Sequence, residues 1–195
     1  MNTDILHIKI QEFINSNLNS DISSLLLKGI PFDALNAKLV IEQIEAKKRS
    51  KTKLPTWFNS ESIYYPHKLN IEQTSSEITA KYKAGLVSGK SLIDLTAGFG
   101  VDAYYFSKAL EQVTHCEINT KLSDIAKHKY EVLGVSNIDC FSQSGIDLLK
   151  RFDKSFDWIY IDPSRRDDSK KKVFLLSDCA PNIKIFQNLF LKYAS

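Results

Sequence analysis

Cysteine is scarce and poorly placed for a framework. Cys116, Cys140 and Cys179 are the three in 195 residues, with no C-x-x-C pair and no accompanying histidine cluster, so neither a disulfide scaffold nor a zinc site is expected. A reducing, cytoplasmic setting suits such cysteines best. Long apolar runs are missing too. No stretch of 18 apolar residues occurs, and the opening MNTDILHIKIQ has acidic and polar residues where a signal peptide needs a basic start and an apolar core. Membrane residence is therefore not expected. Charge of one sign is also lacking: the net charge of +3 leaves room for a local basic patch but does not by itself argue for nucleic acid. What is present is an average soluble composition, 43% hydrophobic and 25% charged, enough for one or two domains.

Along the chain, residues 1–50 read as a small helical module. Ile5, Ile8, Phe13 and Leu18 suggest one apolar stripe; Leu35, Leu39 and Ile44 suggest another, after Pro31 and a plausible N-cap at Asp33. The basic run Lys47, Lys48, Arg49, Lys51 and Lys53 reads as a solvated helix end that complements the dipole, with phosphate binding as the other reading. Residues 51–90 then form a connector and a helix over the site. Pro55, Trp57, Tyr64, Tyr65 and Pro66 suggest extended chain packed on something. The T-x-x-E spacing of Thr74 to Glu77 matches a capping box, and Ile78, Tyr82 and Leu86 repeat behind it at intervals of four.

From residue 91 to 195 short apolar strands alternate with helical segments. The strands are Ser91 to Leu95, Gln112 to Glu117, Ile138 to Phe141 and Phe156 to Ile161, which predicts α/β with a parallel, Rossmann-like sheet. A last helix, Pro181 to Tyr193, is expected to bury Ile185, Phe186, Leu189 and Phe190. Four strands leave such a sheet unfinished, and a fragment of a longer protein is the expectation.

The first strand runs into Asp94-Leu95-Thr96-Ala97-Gly98-Phe99-Gly100. Gly98 and Gly100 permit a sharp turn and the approach of a ligand to the amides at a helix start. With Ala103 and Glu117 they also satisfy the dinucleotide fingerprint, so glycines alone do not choose a cofactor. Asp94 separates the readings. A carboxylate just before the loop repels a pyrophosphate, yet attracts the ammonium and sulfonium of S-adenosylmethionine. Its other reading is a turn cap near Thr96. Glu117 suits two ribose hydroxyls with either cofactor. After the third strand, Ser144 and Gly145 stand where an acid is often found, and Asp147 reads as a helix-start residue.

The fourth strand ends in Asp162-Pro163-Ser164-Arg165-Arg166. Ligands of open α/β sheets bind outside the carboxyl ends of the strands, so Asp162 is expected to share a crevice with Asp94. Pro163 holds Asp162 extended. The motif departs from D/N-P-P-x by Ser164 and by lacking a following aromatic, which argues against methylation of an adenine amine. Arg165 and Arg166 either clamp an anionic acceptor or pair with Asp167 and Asp168. Lys170 to Lys172 keep this rim basic, and Cys179 reads as a packing residue or, less simply, a nucleophile.

Together, K-x-K-L-P-x-W (Lys51 to Trp57), Glu72 to Ala84, D-L-T-A-G-F-G-V-D (Asp94 to Asp102), I-D-P-S-R-R (Ile161 to Arg166) and D-C-A-P (Asp178 to Pro181) make the chain resemble bacterial class I methyltransferases with a THUMP-like C-terminal domain. The resemblance spans nearly the whole sequence. It implies S-adenosylmethionine held by Asp94, the loop Thr96, Ala97, Gly98 and Gly100, Glu117 and Asp162, with Gln73, Ser76 and Glu77 folded over the site and RNA as the acceptor. Asp162 and Pro163 are then the candidates for orienting the acceptor or removing its proton. The rivals are a nicotinamide-dependent oxidoreductase and a cofactor-binding scaffold without catalysis.

Overall fold

The computed structural model describes residues 1–152, 154–164, 175, 179 and 181–194. A 3₁₀ turn at Thr3–Leu6 precedes six helices: α1 (Ile8–Ser16), α2 (Ile22–Lys28), α3 (Ala34–Lys53), α4 (Pro55–Asn59), α5 (Lys68–Gln73) and α6 (Glu77–Ala84). Then strands and helices alternate: β1 (Ser91–Asp94), α7 (Val101–Phe106), β2 (Gln112–Cys116), α8 (Thr120–Val132), β3 (Ile138–Phe141), α9 (Gly145–Arg151), β4 (Trp158–Tyr160) and α10 (Ile183–Tyr193). The four strands are parallel, in the order β3-β2-β1-β4. The expected α/β fold with a short Rossmann-like sheet is therefore present. The order reverses between β1 and β4, which opens a crevice at the carboxyl ends of those strands.

Several local expectations shift. Asp33 caps α3 as predicted, accepting from the amides of Leu35 and Asn36, both at 3.1 Å. Yet the buried line is Val40, Gln43, Ile44 and Lys47, while Leu35 is exposed. A polar residue faces inward because the Gln43 amide clasps the Tyr65 backbone from both sides, donating to its carbonyl at 2.7 Å and accepting from its N–H at 2.8 Å. Lys47 is likewise not solvated: it is buried and donates to Asn15 Oδ1 at 2.8 Å. The connector is not extended throughout, since Pro55 starts α4, where its missing N–H is no loss. Ser76, not Thr74, caps α6 by accepting from the Thr79 amide, so the capping-box spacing misplaces the start by two residues. Ile78, Tyr82 and Leu86 are exposed, while Glu77 and Ala80 point inward, Glu77 meeting Thr56 and Tyr105. In α1, Ile10 and Ile14 are buried and Ile8 is exposed; in α10, Phe186, Leu189 and Phe190 pack inward but Ile185 is 71% exposed.

The two faces of the sheet are covered unequally. Leu92 and Val113 belong to a large cluster that runs from Ile5 through Trp57 and Tyr65 to Tyr130, so the N-terminal helices, α7 and α8 share one core. Ile93, Leu95 and Cys116 face the other way, into a smaller cluster with Ile146, Leu149 and Phe156.

Candidate functional site

A cleft of about 1100 Å³ opens at the carboxyl ends of the strands. Such a volume is at the upper end for small-molecule sites. Its wall is built by Leu95 to Phe99 and Asp102 from the β1–α7 turn, Cys116 to Asn119 after β2, Ser144 to Ile146 after β3, and Tyr160 and Asp162 to Ser164 after β4. Asn70, Gln73, Thr74 and Ser75 close it from the α5–α6 connection.

The glycine loop is held from within. Thr96 N donates to Asp94 Oδ1 at 3.0 Å, Ala97 N to the Cys116 carbonyl at 2.9 Å, Gly98 N to Glu117 Oε2 at 3.0 Å and Gly100 N to the Ala97 carbonyl at 2.7 Å. Those four amides are therefore already engaged by the protein. Gly98 and Gly100 both adopt left-handed φ, 57° and 75°, a region that favours glycine. Their surroundings differ. A Cβ on Gly98 would meet only the Thr96 carbonyl, at 4.0 Å, whereas one on Gly100 would lie 1.8 Å from the Tyr130 hydroxyl. Gly98 thus leaves open room on the cleft side, and Gly100 makes room for packing behind the loop. Gly145 serves a third purpose: its Cβ would lie 2.5 Å from the Leu95 carbonyl, so α9 can start against the end of β1 only without a side chain there.

Carboxylates dominate the cleft. Asp102, Glu117 and Asp162 line it. Glu117 is fixed through both oxygens, Oε2 to Gly98 N and Oε1 to Asn119 N at 2.7 Å. Its burial pushes its carboxyl up, and those two hydrogen bonds pull it part of the way back. Asp94 lies behind the loop, 1% exposed and outside the lining. Burial first, then the negative charges of Asp102 and Asp162, push its carboxyl well above the usual range, against the pull of the Thr96 amide. Lys83 is the cation that answers this group: its Nζ donates to Ser75 Oγ at 2.9 Å, to Asp102 Oδ2 at 3.2 Å and to the Tyr160 hydroxyl at 2.5 Å. The other oxygen of Asp102, Oδ1, is buried and has no hydrogen-bond partner among the described residues.

The sequence-predicted residues fall into groups. Thr96, Ala97, Gly98, Glu117, Ser144, Gly145, Asp162, Pro163 and Gln73 are brought together around the cleft. Ser144 also caps α9, accepting from the Asp147 amide at 3.3 Å, and Thr96 Oγ1 accepts from the Asp162 amide at 2.8 Å, tying β1 to the Asp162 turn. Asp94 and Gly100 support the loop from behind. Ser76 caps α6, and Glu77 is buried away from the cleft, where it accepts from the Thr56 amide and, at 2.8 Å, from the Tyr105 hydroxyl. Arg165 and Arg166, with Asp167, Asp168, Lys170 to Lys172 and Asp178, lie outside the described residues. Cys179 is buried, and its thiol donates to the Leu175 carbonyl at 3.4 Å. No cluster of metal-ligating side chains occurs among the described residues.

Sequence reasoning missed Lys83, Asp102 and Tyr160, and placed Ser75 at the site only as part of the segment Gln73 to Glu77 that the resemblance folds over it. Asp102 lies only two residues beyond the loop, in the G-V-D that follows Phe99, so its position was a usable signal. Lys83 was not: it enters the site by tertiary packing of α6 on α7.

No family model matches the chain, and none of the curated proteins does. Among solved structures, the chain superposes over all of its length, at TM-score 0.79 and 27% identity, on the "putative methyltransferase from Porphyromonas gingivalis W83". The chain has a Rossmann-like methyltransferase fold. It spans 48% of that protein's length. Looser likenesses extend to a SAM-dependent methyltransferase from Agrobacterium tumefaciens (TM-score 0.46, 19% identity, 61% of this chain and 39% of that one). They extend also to a Streptococcus mutans protein solved in complex with SAH (0.45, 16%, 61% and 65%). The cleft lies at the carboxyl ends of the strands of this fold, with Asp102, Glu117 and Asp162 in its lining.

Proposed function

We propose that the chain holds the donor site of an S-adenosylmethionine-dependent methyltransferase. The observation that carries this reading is the state of the glycine loop. Its amides at Thr96, Ala97, Gly98 and Gly100 are engaged within the protein, one of them by the carboxylate of Asp94 and one by that of Glu117. A loop that cradles a pyrophosphate must offer free N–H groups to it. This loop presents the Glu117 carboxylate at the cleft instead, and Asp102 and Asp162 bring the acidic side chains of its lining to three. Such a site favours a cationic ligand over a dianionic one.

The bound cofactor would supply a methyl group already activated by its sulfonium. Each Glu117 oxygen keeps one free lone pair for a ribose hydroxyl, since each already accepts one backbone N–H. Ser144 and Gly145, which line the cleft at the start of α9, would hold the adenine part. Asp102 and Asp162 face the cationic end, with Gln73 above. Transfer requires the acceptor's nucleophile in line with the carbon–sulfur bond, so the protein's task is positioning and water exclusion. Asp162, aligned by Pro163, orients that nucleophile and takes its proton where it begins protonated.

The acceptor in this proposal is RNA, on the resemblance to methyltransferases with a THUMP-like domain, and the setting is cytoplasmic. Calorimetry with S-adenosylhomocysteine and with NAD tests the donor. Binding of the first and not the second is expected; NAD binding alone would replace this reading by an oxidoreductase. Labelled methyl transfer to total RNA, compared with protein extract, tests the acceptor, with label in RNA expected.

A further inference from the structure

Lys129 is fully buried, which is rare for a lysine unless it is paired. Its partners are not carboxylates. Nζ donates to the carbonyl of Phe99 and, at 2.9 Å, to that of Gly100. Around it stand three rings, Tyr130 at 4.2 Å, Phe99 at 4.6 Å and Trp57 at 5.3 Å from Nζ to the centroid, an aromatic cage of the kind that holds ammonium groups. The next residue works at the same place: the Tyr130 hydroxyl donates to the Gly100 carbonyl at 3.1 Å and meets His115 Nδ1 at 2.9 Å. Consecutive carbonyls at the bend of the glycine loop are thus satisfied from behind by two neighbouring residues of α8. The N–H groups of Thr96, Ala97, Gly98 and Gly100 are engaged by Asp94, Glu117 and the backbone. A residue with no part in the loop would have no reason to send a charged end into this core, since burial without partners is costly.

We propose that Lys129 is a positioning residue of the glycine loop: its caged ammonium grips the Phe99 and Gly100 carbonyls and sets the conformation on which donor binding depends. The proposal rests on the methyl-donor reading of the cleft for its ligand, and on the geometry alone for its effect on the loop. Trp57, contributed by α4, forms one wall of the cage, so the helical N-terminal part reaches the donor loop through this lysine.

The test uses the full chain with Lys129→Met, which keeps the stem but removes the charge and its donors, and Tyr130→Phe, which removes a single hydroxyl. Amide hydrogen exchange of residues 96–101 is compared with that of β2, and S-adenosylhomocysteine affinity is measured by calorimetry. Loss of charge-assisted hydrogen bonds predicts that Lys129→Met speeds loop exchange and weakens binding by about tenfold or more while β2 stays protected. Tyr130→Phe is expected to do the same more weakly. A folded Lys129→Met with loop exchange and affinity within about twofold of the parent overturns the proposal, because such hydrogen bonds cannot then be shaping the loop. If Lys129→Met does not fold, Tyr130→Phe decides: selective loosening of residues 96–101 supports the proposal and unchanged exchange overturns it. Failure of the parent chain to bind S-adenosylhomocysteine defeats the donor reading, whereas the exchange comparison still decides the role of Lys129.

Discussion

The two faces of the four-stranded sheet are built from strands of similar character, yet they are sealed to different degrees. On the Leu92 and Val113 face, the N-terminal helices, α7 and α8 enclose aromatic and charged side chains together, with Trp57, Tyr65 and Lys129 at or near zero exposure. On the Ile93 and Leu95 face, α9 and α10 cover a smaller cluster, and no residue of α10 is fully buried. The difference shows from which side the glycine loop is buttressed. Gly100 leans on the sealed face through Tyr130 and Lys129, while Gly98 and Glu117 turn to the cleft.

Truncation is the strongest way to break that comparison. Trp57→Ala on the sealed face is expected to cost about 3–5 kcal/mol in urea unfolding, whereas Leu189→Ala on α10, which packs only partly buried on the smaller cluster, costs about 1–2 kcal/mol. Equal losses would mean the two faces are equally packed. The two glycines sharpen it further. Gly100→Ala places a Cβ against Tyr130 at positive φ, and the strain and overpacking together are worth about 2–4 kcal/mol. Gly98→Ala meets only the left-handed penalty, about 1–2 kcal/mol, and shows its main effect as weaker S-adenosylhomocysteine binding, because its Cβ enters open cleft space.

Acid probes the sealed face by charge. His115 is wholly buried against Tyr130, and burial, with Lys129 nearby, drives its imidazole down from 6.5 to about 3. A histidine that resists protonation when folded, but not when unfolded, withdraws stability as pH falls from about 6.5 toward 3, by at most about 1.4 kcal/mol per pH unit. His115→Gln should flatten that part of the stability–pH profile; an unchanged slope would place the acid sensitivity elsewhere. The smallest effect is at Asp94. Its carboxyl is raised when folded, so its contribution is favourable at low pH and lost as pH rises through its folded value. Asp94→Asn keeps an acceptor for the Thr96 amide and is expected to raise the melting temperature at pH 8 by about 2–4 °C, about 1 kcal/mol in a domain of this size. That gain should vanish near pH 3.

Much of this architecture was legible in the residues. The strands lie where the short apolar runs lie, because a parallel sheet covered on both faces needs nearly continuous apolar sequence. Asp33 reads as a cap and acts as one. Glu117 and Asp162 reach the cleft because they follow directly on the ends of β2 and β4. The failures share one cause. Helix α3 buries Gln43 and Lys47, and α6 buries Glu77, because each polar group found a specific partner across the fold. A hydrophobic stripe cannot announce such partners, so the pattern puts Leu35, Ile78 and Tyr82 on the wrong side.

The sequence by itself determined the order of the elements, the bend at Gly98 and Gly100, and the acids that end the strands, since all are set by local backbone preference and by alternation along a strand. Only the tertiary structure decided which glycine faces the cleft, which loop amides the protein engages itself, and that Lys83 reaches Asp102 and Tyr160 while Lys129 reaches the Gly100 carbonyl. Those are contacts between residues 19 to 77 positions apart, and no local rule fixes them.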